Sequence, residues 1–185
     1  TTITPCQKEY LLAFHKPAGI VCTTSKIDKN NVIDYLNFPD RIYPVGRLDK
    51  ESTGLLLLTN NGQLMDDILR GSNYHEKEYI VHVNKPITDS VLQAMAQGVP
   101  ILDTITRPCK IRRMGKDCFY ITLTQGLNRQ IRRMCEYFDY RVTSLKRIRI
   151  MNIELGSLPV GKWRELTPSE IKTLKNLAQN KGEAE

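Results

Sequence analysis

The chain has 185 residues, a formal net charge of +7 and a pI near 9.2. This length allows one large domain or two small lobes with a real apolar core. The apolar runs are too short to span a bilayer, no signal peptide opens the sequence, and no basic amphipathic helix with exposed aromatics is present, so no membrane association is expected. The positive charge favours a polyanionic partner, and the concentration of basic residues at 107–116 and 129–149 favours nucleic acid.

The five cysteines are odd in number and include no CxxC pair, so they do not form a disulfide framework. Their use is typical of reduced thiols in a cytoplasmic protein. We expect buried free thiols at Cys22, Cys109, Cys118 and Cys135, which lie in apolar or strand-like contexts. The three histidines lack the spacing of metal ligands, so no metal site is expected.

Apolar periodicity predicts alternating short strands and helices along the chain. In chain order these are a strand at 10–14, a helix at 32–36, a strand at 55–59, a helix at 63–70 with Gly71 as its C-cap, a strand at 76–83, a helix from Thr88 to Gly98, a hairpin of 109–114 with 117–124, a helix at 128–138, a strand-like segment at 142–153, and a last helix that begins with the capping box Thr167 to Glu170.

Strands joined by short loops, without a Gly-rich phosphate loop after any of them, favour an α+β (mixed α/β) fold with a mostly antiparallel sheet. No repeat or linker divides the chain. We therefore expect one domain at 10–178, built as two lobes on one continuous sheet. Residues 1–9 are expected to form a tail or linker remnant, and 179–185 a frayed tail.

The stretch 45–54, VGRLDKESTG, places a carboxylate between two cations in a tight loop that leads into an apolar strand. Gly46 and Gly54 bracket the charged residues and allow the backbone to turn at both ends. An isolated Asp49 would usually be a turn or salt-bridge residue. A charged tip on a rigid apolar strand is also how a fold presents a reactive group at a cleft, so Asp49 is the leading candidate for chemistry.

The helix predicted at 128–138 buries one side, because its apolar residues recur at helical spacing: Ile131, Met134, Cys135 and Phe138. At about 100° per residue, Arg129 and Arg133 are expected on the opposite side. Arg132 falls on the flank between the two sides, where its guanidinium can lean into a cleft.

Three segments, 46–56, 77–79 and 126–134, resemble the signature motifs of pseudouridine synthases in their order and spacing. The resemblance is to the ribosomal-RNA group of RsuA and RluF type, nearest to the RluF-type branch, and covers residues 10–175. Members of this group commonly carry an N-terminal S4-type RNA-binding domain, which this sequence does not supply, so the sequence is either that of a catalytic fragment or that of a member without the module. That departure affects the expected RNA affinity rather than the chemistry.

The resemblance implies the pseudouridine-synthase fold, a curved sheet with flanking helices and a central active-site cleft. It implies an isomerase that breaks the N1–C1′ bond of a uridine in structured RNA, rotates the uracil and rejoins it through C5, with neither metal nor organic cofactor. The expected substrate is 23S ribosomal RNA of the large subunit, with transfer RNA as the alternative. The expected enzyme is a cytoplasmic monomer.

By resemblance, Asp49 is the catalytic nucleophile or base, and it either attacks C1′ or drives formation of a glycal. Tyr79 stacks on the uracil and takes the C5 proton, Arg132 pairs with Asp49, Arg47 enters the RNA helix when the base flips out, and Leu145 lines the pocket. Physical chemistry agrees, because a guanidinium within salt-bridge distance favours an ionised aspartate where desolvation opposes it.

The residues expected to contact RNA are Lys16, Arg47, Leu48, Lys50, Lys77, Asn128, Arg129, Gln130, Ile131, Arg132 and Arg133. Two other functions fit the same sequence. One is a non-catalytic RNA-binding factor for ribosome assembly on the same scaffold, and the other is a nucleosidase that releases free uracil.

Overall fold

The computed structural model describes residues 8–70 and 74–179, which form five helices and eleven strands. The helices are α1 (Val32–Leu36), α2 (Gly62–Leu69), α3 (Asp89–Gln97), α4 (Gln130–Tyr137) and α5 (Pro168–Gln179). The strands are β1 (Leu11–Lys16), β2 (Tyr43–Val45), β3 (Thr53–Thr59), β4 (Lys77–Val83), β5 (Pro100–Ile101), β6 (Thr104–Ile105), β7 (Lys110–Arg113), β8 (Cys118–Leu123), β9 (Val142–Ile150), β10 (Ile153–Glu154) and β11 (Trp163–Glu165).

Nine strands form one sheet in the order β11-β1-β3-β9-β4-β8-β7, with β2 beside β3 and β10 beside β9. Its pairs are antiparallel except β3 with β9, and β5 with β6 forms a separate hairpin. The predicted α+β fold with a mostly antiparallel sheet is confirmed. The short strands β2, β5, β6 and β11 were not predicted, because two or three residues are too few to show a period. The segment predicted as one strand at 142–153 is divided by a turn at 151–152 into β9 and β10.

The apolar core follows the two halves of this sheet. One cluster lies between α3, α4 and strands β4, β8 and β9. The other two lie on opposite faces of β1 and β3, one under α2 and α5 and the other under α1. This division agrees with two lobes on one sheet. The predicted tails, apart from 8–9 and 179, and the predicted cap at Gly71 lie outside the described residues.

Parallel contact between β3 and β9 joins the two halves, and it depends on a glycine. Gly54 lies opposite Arg147 and has a φ of +109°. A Cβ atom at Gly54 would lie 2.2 Å from the carbonyl oxygen of Arg147 and 2.5 Å from its nitrogen. Only a residue without a side chain allows this approach, so Gly54 sets the position of the preceding loop relative to β9.

The predicted N-terminal caps of α3 and α5 are confirmed. Thr88 accepts a hydrogen bond from the backbone nitrogen of Val91 at 3.3 Å. Thr167 and Glu170 form the reciprocal capping box, with the Thr167 hydroxyl accepting at 3.1 Å and the Glu170 carboxylate at 2.9 Å. Within the described ranges, no helix has the length and apolar character needed to cross a membrane.

Candidate active site

A buried lysine holds the loop at 46–52 through hydrogen bonds to its backbone carbonyls. Lys16, at the end of β1, is fully buried, and its ammonium donates to the backbone carbonyls of Pro17, Lys50 and Ser52 at 3.0, 3.1 and 2.7 Å. The backbone nitrogen of Gly19 donates to the same Lys50 carbonyl at 2.7 Å. These bonds hold the loop rigidly, which presents the Asp49 side chain in a defined position.

Two arginines from the start of α4 reach this loop. Arg132 is buried, and its Nε donates to Oδ2 of Asp49 at 3.3 Å while its Nη2 donates to the hydroxyl of Ser52 at 2.9 Å. The predicted pairing of Asp49 with Arg132 is confirmed. Ser52, which is also buried, was not anticipated as a partner, although it lies in the same motif.

Arg129 is the second arginine, and its predicted position was wrong. It is the N-cap of α4, with a left-handed φ of +48°, and not a residue of the helix itself. This backbone turn brings its guanidinium to 2.7 Å from Glu51 and 3.5 Å from Asp49. The sequence pattern predicted a helix that begins at Asn128, two residues before the observed start at Gln130, and therefore placed Arg129 on the side of the helix opposite its apolar face.

The four charged groups form one network of two carboxylates and two guanidinium groups. Its members are Asp49, Glu51, Arg129 and Arg132. Hydrogen bonds from its own backbone nitrogen and from Arg129 hold the pKa of Glu51 below its usual value, and the bond to Glu51 raises the pKa of Arg129. The Asp49 side chain remains 29% exposed, so the carboxylate that Arg132 orients is still open to a ligand.

Tyr79 lies on the face of the sheet that also carries Arg147 and Lys16. The strand register sets Tyr79 of β4 opposite Arg147 of β9, Arg147 opposite Gly54 of β3, and Gly54 opposite Lys16 of β1. Two strand spacings of about 4.8 Å separate Tyr79 from Gly54 at the backbone. Tyr79 also packs against the core clusters of both halves, so it lies where the two halves meet, beside the loop that carries Asp49.

Two further cations lie in the same region. Arg147 is buried, its Nε donates to the carbonyl of Leu55 at 2.8 Å, and its Nη2 has no hydrogen-bond partner among the described residues. Burial lowers the pKa of Lys77 to about 8, and the positive charge of Arg147 adds to this effect. Arg147 and Lys77 therefore add positive charge to the face of the sheet that carries Tyr79, which suits a polyanionic substrate. Arg147 was not predicted, although it follows Leu145 at strand spacing.

Leu145 and Leu48 are both buried near the loop. Leu145 belongs to the core cluster of the β4–β8–β9 half, and its carbonyl lies 3.5 Å from the Thr53 hydroxyl that donates to it. Leu48 packs in the cluster under α1, and its backbone nitrogen donates to Sγ of Cys22 at 3.4 Å. These contacts fix the loop on its apolar side.

Four residues expected to contact RNA lie in the interior instead, which contradicts direct contact: Lys16, Leu48, Gln130 and Ile131. The ammonium of Lys16 is bound by carbonyls, and the two apolar side chains complete the core. Gln130 accepts from the backbone nitrogen of Leu127 at 3.2 Å and donates to Gln125 at 3.3 Å, so it stabilises the turn before α4.

Apart from Arg132, which is buried against the Asp49 loop, the other expected RNA contacts are exposed or partly exposed. Arg47, Lys50 and Asn128 are exposed, and the Arg47 guanidinium has no hydrogen bond or ion pair with any described residue. Arg133 donates to the backbone and side-chain oxygens of Asn128, both at 3.0 Å. Their contact with RNA stays a prediction.

The cysteines of the described chain are free thiols, as expected: Cys22, Cys118 and Cys135 are buried, whereas Cys109 is only partly buried. Burial raises the pKa of Cys109 to about 11 and that of Cys135 to about 12, so both are poor nucleophiles at neutral pH. Residues 8–70 and 74–179 contain no group of three or more His, Cys, Asp or Glu side chains that could hold a metal ion.

Comparison with known proteins identifies the family. The sequence model described as RNA pseudouridylate synthase matches residues 10–137. The dual-specificity RNA pseudouridine synthase RluF of Salmonella typhi is 54% identical over 169 residues, which are 91% of this chain and 58% of that protein. The chain thus spans less than two thirds of the length of this relative.

One further sequence relative and one solved structure are also named as pseudouridine or pseudouridylate synthases. Ribosomal large subunit pseudouridine synthase B of Bacillus subtilis is 34% identical over 175 residues, which cover 90% of this chain and 71% of that protein. A crystal structure of a pseudouridylate synthase superposes with a TM-score of 0.83 at 30% identity, covering 90% of this chain and 74% of that one. With the family model matched across the Asp49 loop, Tyr79 and the first turns of α4, the chain belongs to the RNA pseudouridylate synthase family.

Proposed function

We propose that this chain isomerises a specific uridine in structured RNA to pseudouridine, with Asp49 as the catalytic residue. The observation that carries the proposal is the geometry of Asp49, a partly exposed carboxylate oriented by a buried arginine within the matched family region. Arg132 is buried and donates to this carboxylate, so it holds the group in one direction, which either nucleophilic or basic catalysis requires.

The reaction is an isomerisation, so its atoms balance without a co-reactant. The N1–C1′ bond breaks, the uracil rotates, the C5–C1′ bond forms, C5 loses its proton and N1 gains one. Asp49 serves either by attacking C1′ or by removing a sugar proton to form a glycal. Both routes need the same ionised carboxylate next to the ribose. In this proposal Tyr79 stacks on the uracil and takes the proton from C5.

A uridine in structured RNA must leave its stack before Asp49 can reach the sugar. Flipping costs a few kcal/mol of unstacking and unpairing. Arg47 is suited to fill the vacated space, because its exposed guanidinium is bound to no other described residue. The aromatic face of Tyr79 and the apolar Leu145 then hold the flipped uracil, which offsets the remaining cost.

Large-subunit ribosomal RNA, 23S in bacteria, is the proposed substrate, since one relative is named as a ribosomal large subunit enzyme. Transfer RNA is the alternative, because another relative is named as dual-specific. We propose that Arg47, Lys50, Lys77, Asn128 and Arg133 contact the RNA around the target uridine. A cytoplasmic location, a monomeric state and independence from cofactors stay predictions.

Asp49→Asn is the decisive test, because it keeps the shape of the side chain and removes its charge. The variant should release no tritium from RNA labelled at C5 of uridine, while its RNA affinity stays within about threefold of wild type. Release at the wild-type rate would exclude Asp49 as the catalytic residue. A wild-type chain that binds RNA without releasing tritium would be the non-catalytic assembly factor.

Analysis of the nucleoside products separates the isomerase from a nucleosidase. An isomerase leaves pseudouridine in the RNA and no free uracil, whereas a nucleosidase releases uracil and leaves an abasic ribose. Carbodiimide-induced reverse-transcription stops, compared in cells with and without the protein, would then identify the modified position.

A further inference from the structure

A second face of the sheet lies away from the site. Strands β7, β8, β4 and β9 turn one face towards the core under α3 and α4, and that face includes Tyr79 and Leu145. Their opposite face is here called the outer sheet face. Its residues include two buried ones, Cys118 and Thr122, and the more accessible Lys110, Arg112, Tyr120, Glu78, Ile80, His82, Ser144, Lys146 and Arg149. None of these residues belongs to any of the core clusters of the described chain.

One row across this face combines positive charge with an aromatic ring. The strand register places Arg112, Tyr120, Ile80 and Lys146 directly opposite one another on four consecutive strands. The guanidinium carbon of Arg112 lies 4.3 Å from the centroid of the Tyr120 ring. Three strand spacings of about 4.8 Å separate the two cations at the backbone. Neither cation forms a hydrogen bond or ion pair with a side chain of the described ranges.

The neighbouring row is charged but neutralised. Arg149 lies 3.2 Å from Glu76 and 3.8 Å from Glu78, and Lys110 lies 3.7 Å from Glu76. The hydroxyl of Thr122 also donates to Glu78 at 3.3 Å. Since these cations already have carboxylate partners, the uncompensated charge of the face is concentrated at Arg112 and Lys146.

We propose that the outer sheet face is a second RNA-contact surface, which binds a single-stranded or looped segment of the substrate through Arg112, Tyr120 and Lys146. This inference rests on the proposed function, since it assumes that RNA is the substrate. Unpaired cations are suited to phosphates, and the stacked pair of Arg112 and Tyr120 offers a plane on which a base can stack. A protein interface would instead favour an apolar centre with few charges.

The surface is separate from the catalytic site, because side chains on opposite faces of one strand point in opposite directions. The segment bound here therefore lies outside the one that presents the target uridine. Contact at both faces lengthens the RNA footprint and raises affinity without touching the reacting atoms. Loss of the outer contact should weaken substrate capture and leave the chemical step unchanged.

The test compares two double variants that each remove two positive charges. The test variant is Arg112→Ala with Lys146→Ala, and the control is Lys162→Ala with Lys172→Ala, two exposed lysines in the other half of the molecule. Affinity for transcribed 23S ribosomal RNA is measured between 50 and 200 mM salt. The test variant should bind at least about tenfold more weakly, with a smaller salt dependence equivalent to about two phosphate contacts, and the control should stay within about threefold of wild type.

Tyr120→Leu provides a second variant that leaves the charge intact. It should weaken RNA binding without altering its salt dependence, because stacking is lost and the phosphate contacts remain. The value of kcat at saturating RNA should be unchanged in every outer-face variant. Equal affinities for the test and control variants would overturn the proposal, as would a fall in kcat at an unchanged KM.

Failure of this inference is distinguishable from failure of the proposed function. A chain that isomerises uridine but binds RNA equally well with and without Arg112 and Lys146 has no outer RNA surface. A chain whose affinity depends on these residues, but which releases no tritium, binds RNA without the proposed activity. If the outer-face variants lose binding to a protein partner and keep full RNA affinity, the surface serves protein instead and the proposal is wrong.

Discussion

Nε of Arg132 lies 3.3 Å from Oδ2 of Asp49, and Nη2 of the same guanidinium lies 2.9 Å from the hydroxyl of Ser52. The two partners come from one loop, whereas Arg132 lies 83 positions beyond Asp49 in α4. A planar guanidinium that makes two bonds to one loop fixes the direction of the carboxylate. The orientation of Asp49 therefore depends on the packing of α4.

Arg132→Lys should lower kcat by about 10²-fold, because an ammonium cannot bond Asp49 and Ser52 with the same geometry. The charge beside Asp49 is preserved, so the loss would measure orientation rather than electrostatics. Single-turnover tritium release at saturating RNA measures the effect. A variant with the wild-type rate would show that positive charge alone suffices.

Ser52→Ala is the matched control, since it removes one of the two bonds and leaves the ion pair. A neutral hydrogen-bond partner contributes about 1 kcal/mol, so the expected loss is about fivefold in kcat. A larger loss than that of Arg132→Lys would place the orienting role on the hydroxyl.

The pair of Asp49 and Arg132 was predicted from the resemblance of the sequence motifs to a known family. The contacts of Arg129 were missed, because this residue is the N-cap of α4 and not part of the helix. Helical periodicity places a residue on a face only within the helix. Arg129 lies just outside, in a left-handed conformation that non-glycine residues rarely adopt. Its contacts with Glu51 and Asp49 therefore follow from a backbone turn that apolar spacing does not reveal.

The burial of two polar residues, Lys16 and Gln130, was also not predicted. Lys16 and Gln130 were expected at the surface because lysine and glutamine are usually exposed. Both are buried because backbone groups of nearby loops surround them, and those loops meet only in the folded chain. By contrast, the longer strands and all five helices were predictable, since their apolar periodicity is local.

Gly54→Ala should destabilise the protein by about 3 kcal/mol or more, because the new Cβ would clash with the Arg147 backbone and the φ of +109° is strained for alanine. Urea unfolding measures the change. Gly62→Ala is the control, since nothing lies within 4 Å of the position that a Cβ would take there in α2. It should be neutral or slightly stabilising. Equal stabilities for the two variants would contradict the steric role of Gly54.

Lys16→Met should destabilise the protein by about 3 kcal/mol, because the carbonyls of Pro17, Lys50 and Ser52 lose a shared donor inside the structure. Its RNA affinity, measured on the folded fraction, should stay near the wild-type value. Lys50→Met is the complementary variant, since the Lys50 side chain is exposed. It should keep its stability and bind RNA about threefold to tenfold more weakly. The opposite pattern would return Lys16 to the RNA surface.

Because the ammonium of Lys77 is buried, the free energy of unfolding is expected to depend on pH. Its pKa is about 8 in the folded protein against an ordinary 10.5, so the unfolded chain binds more protons than the folded one between these values. The free energy of unfolding should therefore rise with pH across this window, while below pH 8 the cost of the buried charge is fully present. Lys77→Met removes that cost and should be more stable than wild type at neutral pH.

The stability advantage of Lys77→Met should shrink by about 1 kcal/mol between pH 7 and pH 9, because the wild-type lysine loses its proton in the folded state over this range. Paired urea titrations of the two proteins at both pH values measure it. Titration of every other group cancels in the difference between them, so the remaining pH dependence belongs to Lys77. A difference that stays constant with pH would mean that Lys77 remains fully protonated and solvated in the folded protein.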